Sequence, residues 1–248
     1  MKDRNYTALP TESRLDDNVG WFRTATLLLS FLLALQCVWL VVAEFYRPPL
    51  RQLPTTAPAA AAAATAELRN RAAWAASIGA IRGELWAESA FSYANLLFDD
   101  AKQNADGSAA RTLASARASL EHAVNDAPAQ SGAWLLRAGL ALRYPALGFN
   151  ALEALKMSYY TGPTEQELMP LRLRMTTKLD WFSDVEMRQF ISRDLRLLLA
   201  QKQATAIAEA YDASSSAEKS FIEQVVGGVD PPVLRWLRAG AKRPSVPN

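Results

Sequence analysis

One histidine and one cysteine set narrow limits on the chemistry open to this 248-residue chain. His122 stands between Glu121 and Ala123 in a helical pattern, with no second histidine or cysteine to complete a metal site or a nucleophile–base pair. It reads as a solvent-facing or interface residue. Cys37 lies inside an apolar run, so neither an intramolecular disulfide nor a cysteine-based metal site can form. Glu84 and Glu88 are four apart and share a helix face, an arrangement suited to acid–base work and equally at home on a solvated helix. Gly227-Gly228 lacks the Lys-Ser/Thr of a phosphate loop and reads as a helix C-cap. No glycine-rich nucleotide fingerprint and no Gly-x-Ser-x-Gly elbow is present. No catalytic, metal or cofactor-binding residue is therefore assigned, and a non-enzymatic role is expected.

The densest basic set is Arg172, Arg174, Lys178, Arg193 and Arg196. On a solvated surface these side chains would pair locally with Asp180 and Asp194, each pair contributing ~0.2–1 kcal/mol. As a patch, Arg172, Lys178, Arg193 and Arg196 would face an anionic glycan or an acidic partner. Trp134, Tyr159, Tyr160, Trp181 and Trp236 would either line a groove beside them or, as aromatics at helical spacing more often do, fill a core. The formal charge of +2 is too small to make nucleic acid the expected partner.

These residues need a scaffold, and the sequence describes one attached to a membrane. Thr24 to Ala43 reads TATLLLSFLLALQCVWLVVA, twenty residues without a charge. As a helix this run rises ~30 Å, the thickness of a bilayer's hydrocarbon core. Trp21 and Phe22 at one end, and Phe45 and Tyr46 at the other, suit the two interfaces. A span over 21–46 is expected, in contact with lipid. A cleaved signal peptide has a shorter apolar core of ~7–15 residues, although Val41-Val42-Ala43 offers small residues for cleavage. A lipidated Cys37 would need a small residue where Gln36 stands. Lys2, Arg4, Arg14 and Arg23 precede the span, against Arg47 and Arg51 just after it. That bias places residues 1–20 in the cytoplasm and the domain outside; in a bacterium, an inner-membrane anchor with a periplasmic domain.

Residues 47–66 are rich in proline and alanine and read as a semi-rigid spacer lifting the domain clear of the lipid. The Ala59–Ala64 run would alternatively begin the next helix. Residues 67–240 read as an all-α domain, and 241–248 as a tail. Trp74, Ile78, Ile81, Leu85, Phe91 and Leu96 follow one helical period, predicting a single helix that Asn104–Gly107 breaks. Further helices are predicted at 109–125, around Trp134–Leu142, and at 150–160. Thr164 and Glu167 have the spacing of a capping box for a helix over 165–179. The last are predicted at 184–200, 203–212, 216–226 and 231–239, with Pro231-Pro232 in the final first turn.

Pro128 and Pro163 each end a helix and are 35 residues apart, close to the ~34 of a tetratricopeptide repeat. Ala116, Leu120 and Ala123, then Leu135, Ala138-Gly139 and Leu142, then Ala151, Leu155 and Ser158, resemble that family's small and large framework positions. The resemblance spans roughly residues 110–163 and fails in the next unit, where Glu186 and Arg193 fall on small apolar positions. An unrelated stack of helical hairpins would give some of the same matches. The resemblance implies an α-solenoid-like array that binds other proteins. Met157–Pro163, Met169–Arg174 and Arg193–Arg196 also resemble anchored helical proteins of bacterial extracellular polysaccharide gene sets. That implies an accessory of polysaccharide assembly or export, with envelope proteins or acidic polysaccharide as partners. A membrane-anchored helical adaptor is the expected object; a glycan-binding module, or an enzyme built on Glu84 and Glu88, are the alternatives.

Overall fold

The computed structural model describes residues 13–47, 62–97 and 108–240. The N-terminal tail before residue 13, the spacer over 48–61, the predicted break at Asn104–Gly107 and the tail after residue 240 lie outside them. Every regular element among the described residues is helical. They are α1 (Ser13–Phe45), α2 (Ala62–Ile78), α3 (Gly83–Leu97), α4 (Ser108–Asp126), α5 (Ser131–Arg143), α6 (Ala151–Thr161), α7 (Met169–Thr176), α8 (Val185–Ala200), α9 (Ala204–Ala213), α10 (Ser216–Gly227) and α11 (Pro231–Arg238). Short 3₁₀ turns at Pro145–Leu147 and Gln166–Leu168 join α5 to α6 and lead into α7.

Within α1, Gly20–Phe45 is long and apolar enough to cross a membrane. Its large side chains are exposed in the chain, from Trp21 and Phe22 through Leu33 to Phe45. The exception is Ala43, which is buried with Ala75, Ala76 and Leu85. That contact bears on the spacer. α2 begins at Ala62, inside the stretch read as linker, and packs back along the last turns of α1. The Trp39 indole donates to the Ile78 carbonyl at 2.6 Å, and Arg71 donates to the Phe45 carbonyl at 3.2 Å. The two helices therefore run antiparallel. The first helices of the domain rest against the end of α1.

The single helix predicted through Trp74 and Leu96 is two helices, folded back at Gly79–Arg82. A helical period continues across a tight turn when residues of similar type flank it, so periodicity alone missed the break. Gly79 permits it: a Cβ there would lie 2.5 Å from Leu85 Cδ1 and 3.2 Å from the Ala75 carbonyl. Trp74 and Ile81, two residues of that period, are 63% and 78% exposed.

α3 and α4 pack antiparallel, with the Ser89 and Ser119 hydroxyls 3.1 Å apart and Gly83 against Ala127. α5 and α6 do the same, with Gly162 against Ser131. The small residues at these crossings set how closely the helices approach. Ala87, Ala90, Ala94, Leu120, Leu136 and Leu140 fill one core. Leu135, Leu155, Leu173, Trp181, Ile191, Leu195, Ile207, Val226 and Leu237 fill a larger one. α5 serves both, its Leu135 facing one and its Leu136 the other. Trp181 and Trp236 are core residues, as aromatics at helical spacing more often are.

The last four helices fall where their end signals put them. The Asp184 carboxylate accepts from the Glu186 and Met187 amides, and the Asp230 carboxylate from the Val233 amide. Thr164 and Glu167 form no capping box. The predicted helix over 165–179 shrinks to a 3₁₀ turn and the eight residues of α7, with Pro170 in its first turn. The capping box lies instead at Ser215 and Glu218, opening α10.

Candidate functional site

The four basic residues read as one patch do not form one. Arg172 is fully buried. Its Nε donates to Ser158 Oγ at 3.0 Å, Nη2 to the Ser158 carbonyl at 2.6 Å and Nη1 to the Gly162 carbonyl at 2.8 Å. The side chain thus ties α7 to the C-terminal end of α6, donating to one hydroxyl and to two carbonyls that also accept from the Gly162 and Glu165 amides. Lys178 is exposed, just past the end of α7. The aromatics separate too. Tyr159 is fully buried under Arg172, whose Cζ is 4.9 Å from the ring centre. Tyr160 is 52% exposed and donates its hydroxyl to Glu186. Trp134 packs half-buried on α5 and donates its indole to the Pro128 carbonyl at 2.8 Å.

Arg193 and Arg196 do converge. With Arg188 they line an open groove of about 830 Å³ between α8 and α10. Val185, Leu197 and Phe221 give it an apolar side, and Gln189, Ser192 and Gln224 add amide and hydroxyl groups. It continues past Val225 toward Gly228 and Val229. No carboxylate is among the lining residues. Residues 188, 192 and 196 follow one another at single helical turns, so one face of α8 carries them all. Arg188 was missed, although its spacing from Arg196 was open to the same reasoning.

The chain matches no protein-family model, no curated protein and no solved structure. Function must accordingly be argued from the groove and the residues behind it.

Behind the groove lies a stack of cations and rings. Arg172 covers Tyr159, Tyr159 stacks on Phe190 at 5.0 Å and 13°, and Arg193 sits 5.5 Å from the Phe190 centre. Beside it is Asp194, fully buried, with its Oδ1 4.0 Å from Arg193 Nε. Among the described residues neither carboxylate oxygen has a hydrogen-bond partner, nor have the Tyr159 hydroxyl and the Nε and Nη2 of Arg193. The expected surface pair of Asp194 is therefore a buried charge. Burial pushes its carboxyl up to about 7, against the pull of Arg172 and Arg193. Burial likewise holds the Tyr159 hydroxyl well above the ordinary tyrosine value and lowers that of Arg172.

Glu84 and Glu88 are each bound by a different arginine. Glu88 accepts from Arg47 Nε and Nη2 at 2.8 and 2.7 Å, while Glu84 is held by Arg82. Arg82 also reaches Glu44 at 3.1 Å, so these side chains knit α3 to the end of α1. His122 is exposed, stacked on Trp86 at 4.5 Å, with Asp126 3.8 Å from its Nδ1. Among the described residues, no group of three or more His, Cys, Asp or Glu side chains is placed to hold a metal ion.

Proposed function

We propose that the chain is a single-span membrane adaptor, with no chemistry of its own, whose α8–α10 groove receives an acidic, partly apolar segment of another envelope protein. The groove carries this reading: three arginines and an apolar floor with no lining carboxylate. An amphipathic acidic segment satisfies both halves, setting carboxylates on Arg188, Arg193 and Arg196 and an apolar side chain on Phe221. Gly20–Phe45 would concentrate the groove at the bilayer, and the helical hairpins α3–α4 and α5–α6 would act as a tetratricopeptide-like support between them. The polysaccharide assembly or export machinery of a bacterial inner membrane is the setting proposed for it, with the domain in the periplasm.

The test is photo-cross-linking from Gln189 and Gln224 in cells carrying the full chain, compared with the Arg188→Glu/Arg196→Glu variant. Both arginines line the groove and Arg196 is exposed, so the changes leave the core intact. A discrete protein adduct that is lost in the variant, and that weakens with salt in detergent extracts, supports the reading. Retention on an acidic polysaccharide matrix, lost in the same variant and without a protein adduct, would replace it with glycan binding. An adduct indifferent to both reversals would refute it.

A further inference from the structure

The turn between α2 and α3 lies level with the interior of α1. Because Trp39 donates to the Ile78 carbonyl, the turn sits beside a residue four positions inside the apolar run that ends at Ala43. At ~1.5 Å of rise per residue, that is about 6 Å inside the end of the apolar run. The outward stripe of α2 changes character on the way there. Glu67 and Asn70 are exposed at its upper end, Trp74 and Ile81 toward the turn, the last two at 63% and 78%.

Much of the turn's backbone polarity is met within the protein, which lowers the cost of contact with hydrocarbon. The Gly79 amide donates to the Ala75 carbonyl at 2.8 Å and the Arg82 amide to the Gly79 carbonyl at 2.6 Å. Two of its carbonyls are taken by indoles: Ile78 by Trp39, and Ala80 by Trp86 at 2.9 Å. The one charged residue of the turn, Arg82, is folded back onto Glu44 and Glu84.

We propose that the Ile78–Arg82 turn, with Trp74 above it, is a second membrane contact that dips into the lipid beside α1. The proposal rests on the reading of α1 as a span. It follows from continuity: the turn is packed on the helix that would cross the bilayer, at a depth of ~5–10 Å typical of interfacial insertion. Docked this way, the domain has a fixed tilt and height over the membrane, set by two contacts instead of one.

Nitroxide labels on the full chain in phosphatidylethanolamine–phosphatidylglycerol vesicles test it, in a Cys37→Ser background with single Leu33→Cys, Asn70→Cys and Ile81→Cys changes. All three positions are exposed or half-exposed outward residues, so labelling leaves the packing intact. Collision with dissolved oxygen reports lipid, and collision with a water-soluble nickel complex reports solvent. The expected result is Leu33 in lipid, Asn70 in water, and Ile81 several-fold less accessible to nickel than Asn70 while still open to oxygen. Nickel access at Ile81 equal to that at Asn70, with Leu33 in lipid, overturns the proposal and leaves the span standing. Exclusion of both reagents from Ile81 also overturns it, since a protein then covers the turn. Nickel access at Leu33 removes the span and the proposal together.

Discussion

Asp194 gives this fold a pH dependence opposite in sign to that of an ordinary paired carboxylate. Its folded value is about 7, against 3.8 for an unperturbed aspartate. Between those values the folded chain holds a proton that the unfolded chain has released. The stability linked to that proton is fully present below pH 3.8 and is lost as pH rises through about 7. From pH 5 to pH 8 the loss is on the order of 3 kcal/mol, at ~1.4 kcal/mol per pH unit. For a chain of this size that corresponds to roughly 6–12 °C in thermal midpoint. The groups that set the value face it from three helices: Tyr159 on α6, Arg172 on α7 and Arg193 on α8. The comparison to make is between wild type and Asp194→Asn, which keeps the shape and removes the titration, so that other carboxylates cancel in the difference. Tryptophan fluorescence melts of the detergent-solubilised chain, from pH 5 to 8, should show wild type losing ground steadily to the variant. A difference that stays flat within ~2 °C, or that favours wild type as pH rises, would refute the reasoning.

Arg172→Met should lower the melting temperature sharply. It removes three buried hydrogen bonds and one of the two cations, Arg172 and Arg193, that face Asp194, a loss of ~3–5 kcal/mol. Thermal unfolding of the single variant and of Arg172→Met/Asp194→Asn checks this, the double change recovering part of the loss. Gly83→Ala should cost ~1–3 kcal/mol, because its Cβ would meet the Ala127 amide nitrogen at 2.5 Å and the Ala127 Cβ at 2.6 Å. The neighbour is backbone and cannot rotate away, so hydrogen exchange at the start of α3 and the end of α4 should accelerate in this variant.

What the sequence made legible follows from how local each signal was. The apolar run of α1 needs only composition, and α8, α10 and α11 carry their boundaries in Asp184, Ser215 and Asp230-Pro231. The turn at Gly79–Arg82 was hidden because a glycine is tolerated within a helix, and only its packing against Leu85 shows why it bends here. Arg172 was hidden for a deeper reason. Its partners are a hydroxyl and two carbonyls at the end of another helix, and a sequence pattern assigns an arginine to solvent unless a carboxylate is near. Asp194 was within reach: Met187, Ile191, Leu195 and Leu198 define a buried stripe, and Asp194 falls inside it. Reading it as a surface partner of the neighbouring basic residues gave charge precedence over period.

Arg193 is where the buried cluster and the groove meet, and its position separates its role from that of Arg196. Arg196 is exposed, so a carboxylate reaching it would be screened by water and salt; in the proposed complex it would steer encounter more than hold the partner. Arg193 lines the same groove with its Nε and Nη2 enclosed, and without a partner among the described residues. Those two nitrogens are closed to the groove, so a carboxylate seated there would meet the part of the guanidinium that stays exposed, where a charged hydrogen bond contributes ~1.5–3 kcal/mol. Its guanidinium is also fixed against Phe190, so little freedom remains to be lost on binding. The same Arg193 faces Asp194 at 4.0 Å, and a neutral Asp194 leaves its positive charge uncompensated on the groove side. The groove is then most attractive to an acidic segment below about pH 7, where the buried carboxyl is protonated, and less so as that carboxyl ionises behind it.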